Sequence, residues 1–77
     1  MEKNKIIEEV KKVIEKQMEI EIKDPGENFD IDSFTVMLVI TFADQKLNVK
    51  LNMETLNFDK FKSLNDIADT IINNKKN

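Results

Sequence analysis

The sequence predicts an all-α fold, a small four-helix bundle with a long loop between the first and second helices and a short third helix. Three observations lead there. Apolar residues recur at three- and four-residue steps near both ends of the chain. The central apolar run continues without a break to Leu47, longer than an ordinary strand. Glycine and proline occur once each in 77 residues, which argues against a loop-rich scaffold.

The first helix is expected over about Glu2 to Met18. Ile6, Val10, Val13 and Gln17, with Ile7, Ile14 and Met18, fall at helical spacing, and Glu and Lys fill the solvated positions. Asn4 is a candidate cap, or the helix begins just before it. Glu19 to Asp32 then forms the connection, with the chain's one Pro-Gly turn at Pro25-Gly26. Ser33 to Lys46 sends two signals. Its β-branched and aromatic content suggests a strand. However, Val36, Val39, Ile40, Ala43 and Leu47 make one helical face, and Asp32-Ser33 before an apolar run is a helix start. The length of the run decides for a helix. Leu47 to Asn52 alternates in twos and reads as a short strand or an extended loop pinned by its apolar residues. A short helix is expected near Asn57 to Lys60. Ser63-Leu64-Asn65-Asp66 resembles a capping box with Asp in the last place, and Leu64, Ile67, Ala68, Ile71 and Ile72 follow at helical spacing. Residues 73–77 are expected to fray. The whole chain, 1–77, is expected to be a single domain.

Composition narrows the function. All twelve basic residues are Lys, against 15 acidic ones, for a net charge of −3. The absence of Arg removes the best bidentate phosphate and guanine binder, and the negative balance disfavours nucleic acid and anionic membrane surfaces. Cys and His are both absent, which excludes disulfides, thiol nucleophiles, imidazole acid–base catalysis and zinc sites of Cys/His type. No apolar segment suggests a signal or membrane span, so a cytoplasmic protein without membrane insertion is expected. Asn28, Asp30 and Asp32 have the one-three-five spacing of a calcium loop. The required Gly falls on Ser33 and the bidentate Glu on Val39, so that reading fails and no metal is expected. The chain supplies no catalytic triad, dyad or phosphate-cradling glycine loop, and it is not expected to be an enzyme.

One constellation remains. Asn28-Phe29-Asp30-Ile31-Asp32-Ser33-Phe34 places a serine at the first turn of a helix, directly after a capping Asp. It resembles the Asp-Ser-Leu attachment motif of acyl carrier proteins and peptidyl carrier domains, and its Asp-Ser-Phe form resembles D-alanyl carrier proteins. Thr35 to Leu51 are similar to the family's pattern after the serine. Phe61-Lys62-Ser63-Leu64-Asn65-Asp66-Ile67-Ala68 resembles its capped last helix, and the length resembles a free-standing carrier. The resemblance implies a bundle of acyl-carrier type with 4′-phosphopantetheine attached to Ser33 by a phosphopantetheinyl transferase. Asp32 would act as motif residue and cap, and acyl or aminoacyl cargo would be held as a thioester and passed to partner enzymes. The serine needs no neighbouring base, because a separate transferase attaches the arm.

Two departures from the family stand out. The usual Gly two or three residues before the Asp is replaced by Asp30 and Phe29. The outer face of the second helix, acidic in fatty-acid carriers, carries Phe34, Met37, Leu38 and Thr41, with only Asp32 and Asp44 left of the acidic set. A helix that is apolar all round is usually buried, which can account for Phe42 but is hard to extend to the whole stripe in so short a chain. The stripe is therefore read as a docking face for apolar partners. It suits a specialised carrier, loaded by an adenylating ligase with an amino acid or an unusual acyl group, and expected to be monomeric. Two other readings compete. One is an α-β-β-α interaction module in which Glu19–Ile22, Phe34–Phe42 and Leu47–Met53 are strands. The other is a scaffold of carrier fold without the arm.

Overall fold

The first helix, α1 (Lys3–Met18), is the element against which both others pack. The structure is a computed structural model that describes residues 2–75. After α1 come α2 (Ser33–Leu47), a one-turn 3-10 helix (Phe58–Lys60) and α3 (Leu64–Asn74). Among the described residues there is no strand, so the central apolar run is helical and residues 47–52 are extended chain. The expected four-helix bundle is corrected: three α-helices are present, and a single 3-10 turn stands where a short third helix was expected. That segment, with Leu51, Met53 and Leu56 only partly buried, has too little apolar surface of its own to hold a longer helix. No helix among the described residues is long and apolar enough to cross a membrane.

The core follows the helical periods. α1 buries Ile6, Ile7, Val10 and Ile14. α2 buries Thr35, Val36, Val39 and Ala43, and α3 buries Leu64, Ile67, Ala68 and Ile71. Ile22, Val49 and Phe61 join the same cluster from the connecting segments. Phe61 is the largest fully buried side chain, in the short link before α3. Of the face expected for α1, Val13 and Met18 lie half-buried and Gln17 is exposed. On α2, Ile40, Phe42 and Leu47 pack at the edge of the core.

The helix ends differ from expectation in two places. α1 is capped by the backbone of Glu2 without a side-chain bond, and Asn4 lies inside the helix. α3 continues through Asn73 and Asn74, which were expected to fray, while residues 76–77 lie outside the described part. At the start of α3 the Ser63 half of the expected box forms, with Ser63 Oγ accepting from the Asp66 N–H at 3.1 Å. The Lys3–Asp69 ion pair, at 3.0 Å, links α1 to α3 on the surface, where such a pair is worth at most about 1 kcal/mol.

Both α1 and α2 stop at a non-glycine residue in the left-handed conformation, Glu19 at φ 56° and Asn48 at φ 58°. After α2, the Asn48 N–H and the Val49 N–H both reach back to the Ala43 carbonyl, the latter at 3.0 Å, with Val49 buried behind the turn. Asn tolerates this conformation and Glu does so less well. Glu19→Gly is therefore expected to stabilise the fold by about 1 kcal/mol, and Asn48→Gly by clearly less. Urea unfolding of the three proteins checks this, and an equal effect at the two sites would refute the assignment of strain to Glu19.

Candidate functional site

The connection from Glu19 to Asp32 contains no helix or strand, yet it delivers the start of α2 to a fixed place. Its path is set by backbone bonds. The Ile22 N–H donates to Glu15 Oε2 of α1 at 2.7 Å, and the Ile22 side chain is buried. The Asp24-Pro25-Gly26-Glu27 turn is closed by Glu27 N–H on the Asp24 carbonyl at 2.9 Å, with Gly26 N–H on Asp24 Oδ1 at 3.1 Å. The Pro25 carbonyl then accepts from the Asn65 N–H of α3, and the Phe29 N–H donates to the Lys62 carbonyl, both at 2.9 Å. Phe29 and Ile31 pack half-buried against the core. The chain thus reaches Asp32 tied to both α1 and the start of α3.

Asp32 is extended, at φ −87° and ψ 169°, and caps α2. Its Oδ1 accepts from the Thr35 N–H at 2.7 Å, while its carbonyl accepts from the Val36 N–H at 2.9 Å. The nearby Thr35 hydroxyl and the Thr35 N–H hold the Asp32 carboxyl below the ordinary aspartate value of 3.8, against a weaker opposing desolvation. The hydroxyl makes no hydrogen bond of acceptable geometry, so the backbone bond is the firmer of the two causes. Ser33 follows as the first helical residue and is exposed. Among the described residues, the N–H groups of Ser33 and Phe34 have no partner within the protein. They and the positive end of the helix face the space around the serine, an arrangement that favours an anionic substituent there.

The remaining candidate residues run along α2 from this point. Phe34 is 59% and Met37 55% exposed, two of the three large apolar side chains most open to solvent. Thr41 is exposed on the same side. Leu38 is half-buried, so it contributes less exposed surface to the stripe than the sequence suggested. Met37 lies one helical turn below Ser33 and Thr41 one turn below Met37, so serine and stripe share a face. The third open apolar residue, Phe58, is 48% exposed on the 3-10 turn. Sequence reasoning did not single it out, although an aromatic residue directly after a capping Asn57 in a segment with little apolar content was a usable signal.

Ser33 and the residues around it form an exposed surface and not a cleft. A polar recess between residues 51–60 and α3 is lined by Leu51, Thr55, Lys60 and Asn73, and an apolar one between α1 and the far end of α2 by Ile6, Phe42 and Leu47. Neither includes Ser33. Among the described residues no group of three or more carboxylates is placed to share a metal ion. A family model described as the phosphopantetheine attachment site matches residues 4–71, which contain the whole of this region. No curated protein and no solved structure shows a significant match.

Because the folded Asp32 carboxyl is held below its unfolded value, the stability it contributes is present above pH 3.8 and is lost as the pH falls through the lower folded value. Asp32→Asn keeps a capping oxygen but has nothing to titrate. Wild type and Asp32→Asn should therefore differ in urea midpoint by a constant amount at neutral pH. That difference should change below pH 3.8 in the direction that disfavours the wild type. A difference that stays flat down to the acid transition would mean that Asp32 is not held ionised by its cap.

Proposed function

The chain belongs to the phosphopantetheine attachment site family, and from that premise we propose that Ser33 is the residue that bears the arm. The family's cofactor is 4′-phosphopantetheine, held covalently, and its carrier domains have no catalytic role of their own. The observation that supports Ser33 is its place in the fold. It is exposed, it opens α2 directly after the capping Asp32, and it falls within the matched span.

The residues present fit such a group. A phosphodiester on Ser33 Oγ would stand at the positive end of α2, beside the unpaired N–H groups of Ser33 and Phe34. The Asp32 carboxylate is engaged by Thr35 N–H. When bound, the arm supplies a thiol on which cargo is held as a thioester. Everything else is presentation: the chain contributes no acid, base or nucleophile beyond the serine hydroxyl itself. On this reading residues 1–77 act as one carrier domain, modified by a phosphopantetheinyl transferase and served by a loading ligase and acyl-processing enzymes.

The stripe supports a finer reading. Between Asp32 and Asp44, α2 carries no charged residue, and its exposed positions include Phe34, Met37 and Thr41. An enzyme that works on an arm at Ser33 must approach this face. It would meet apolar surface, not the row of carboxylates that basic patches seek. We therefore read the chain as a specialised carrier of acyl or aminoacyl cargo, docked through Phe34 and Met37, with Leu38 and Thr41 at the margin.

Intact mass after incubation with coenzyme A and a broad-specificity phosphopantetheinyl transferase tests the attachment. Wild type should gain one phosphopantetheine and Ser33→Ala none; a gain in the variant, or no gain in wild type with several transferases, overturns the assignment. For docking, Met37→Glu should leave the helical circular dichroism unchanged and lower the kcat/KM of a cognate loading enzyme about tenfold or more. The wild-type rate should depend only weakly on salt. A steep salt dependence, or full activity of Met37→Glu with every cognate enzyme, would show that docking lies elsewhere.

A further inference from the structure

Thr35 is anomalous in the site. It is a polar side chain with no exposed surface, and its hydroxyl oxygen is buried without a hydrogen-bond partner among the described residues. Every other residue that α2 buries is apolar. A buried hydroxyl left unpaired costs about 1–3 kcal/mol, and valine has nearly the same shape without that cost. The hydroxyl therefore needs a use that outweighs its burial.

Thr35 is the third residue of α2, and its own N–H already holds Asp32 Oδ1 at 2.7 Å. The Asp32 carbonyl accepts from Val36 N–H at 2.9 Å. The second carboxylate oxygen of Asp32 has no partner among the described residues. A hydroxyl bonds a charged carboxylate more strongly than it bonds a helical carbonyl that already has a donor.

We propose that Thr35 is a positioning residue, whose buried hydroxyl clamps the Asp32 carboxylate from the core side so that the aspartate beside Ser33 is held in one orientation for the enzyme that attaches the arm. The inference rests on the carrier reading for its functional consequence, but its structural content does not. Asp30, two residues away, is the charged neighbour on the same segment, and it is constant across the variants that test the clamp.

The experiment compares wild type, Thr35→Val and Thr35→Ser. The Asp32 carboxyl is titrated by carbon NMR, and phosphopantetheine attachment is timed with coenzyme A and a transferase. In Thr35→Val the Asp32 pKa should rise toward the ordinary aspartate value and the attachment kcat/KM should fall about tenfold, the worth of one hydrogen bond to a charged group. Thr35→Ser, which keeps the hydroxyl, should restore both. If Thr35→Val leaves the Asp32 titration unchanged, the hydroxyl serves only the helix backbone and the proposal falls. If no protein in the series accepts the arm, the carrier reading fails, and the titration still decides whether Thr35 holds Asp32.

Discussion

A helix start that carries function must be held in place, and here the preceding chain has no regular structure to hold it. Residues 19–32 reach Asp32 through a few backbone bonds at wide sequence separation: Ile22 to the Glu15 carboxylate, Asn65 to Pro25 and Phe29 to Lys62. The Asp32–Thr35 cap then sets the first turn of α2. Without these ties the connection would be free to wander, because each of its residues loses conformational entropy on ordering with little burial in return. Ile22 is its one fully buried side chain, with Phe29 and Ile31 at the margin. The exposure of Ser33 is therefore a built feature: a point on the surface whose backbone is fixed from α1, from the start of α3 and from its own cap.

Charge is distributed to the same end. The chain is 35% charged, yet α2 is free of charge from Ser33 to Ala43. Solubility is left to α1, to the loops and to the outer side of α3, while α2 keeps apolar residues on both its buried and its open sides. Val36, Val39 and Ala43 face the core, and Phe34 and Met37 face solvent. An open apolar stripe is a liability in a monomer, and on the proposed reading a docked enzyme covers it. Lys46 and Lys50, with Asp44, return charge to the surface only at the far end of the helix.

The three main helices were legible because each obeys a period. Ile6, Val10 and Ile14 on α1 and Leu64, Ile67 and Ile71 on α3 are spaced for one face, and burial follows that spacing. α2 was harder, since its residue types favour a strand and its apolar content runs all round; length and the Asp32 cap decided correctly. Two kinds of feature escaped. The ends of helices depend on local geometry that composition does not encode: of the two starts open for α1, a cap at Asn4 or a beginning just before it, the second is found, with Glu2 filling the cap position with its backbone, and the αL residue Glu19 left no signal. Core members outside periodic segments also escaped. Ile22 and Phe61 are buried by long-range packing, and Thr35 was not placed on the buried face because a polar side chain there contradicts the pattern used to find that face. At the candidate site, the exposure of Ser33, Phe34 and Met37 follows from the helical register after the Asp32 cap, while the half-burial of Leu38 and the exposure of Phe58 depend on packing that the register does not encode.

A chain of this size faces a choice that its composition makes plain. With a core of fourteen apolar side chains it has little stability to spend on a buried polar site. Burying an acid, a base and a nucleophile together would cost more than so small a core returns. Borrowed chemistry removes the difficulty: a cofactor attached at the surface brings its own reactive group, and partner enzymes bring the rest. What the protein must still provide is an address, and an address needs rigidity and recognisable surface more than it needs a cleft. On the proposed reading, the start of α2, the capping aspartate beside an exposed serine and the apolar stripe below it would meet those needs with side chains that cost the core nothing. The single exception is Thr35, the one buried polar residue of α2, whose backbone N–H holds the capping aspartate.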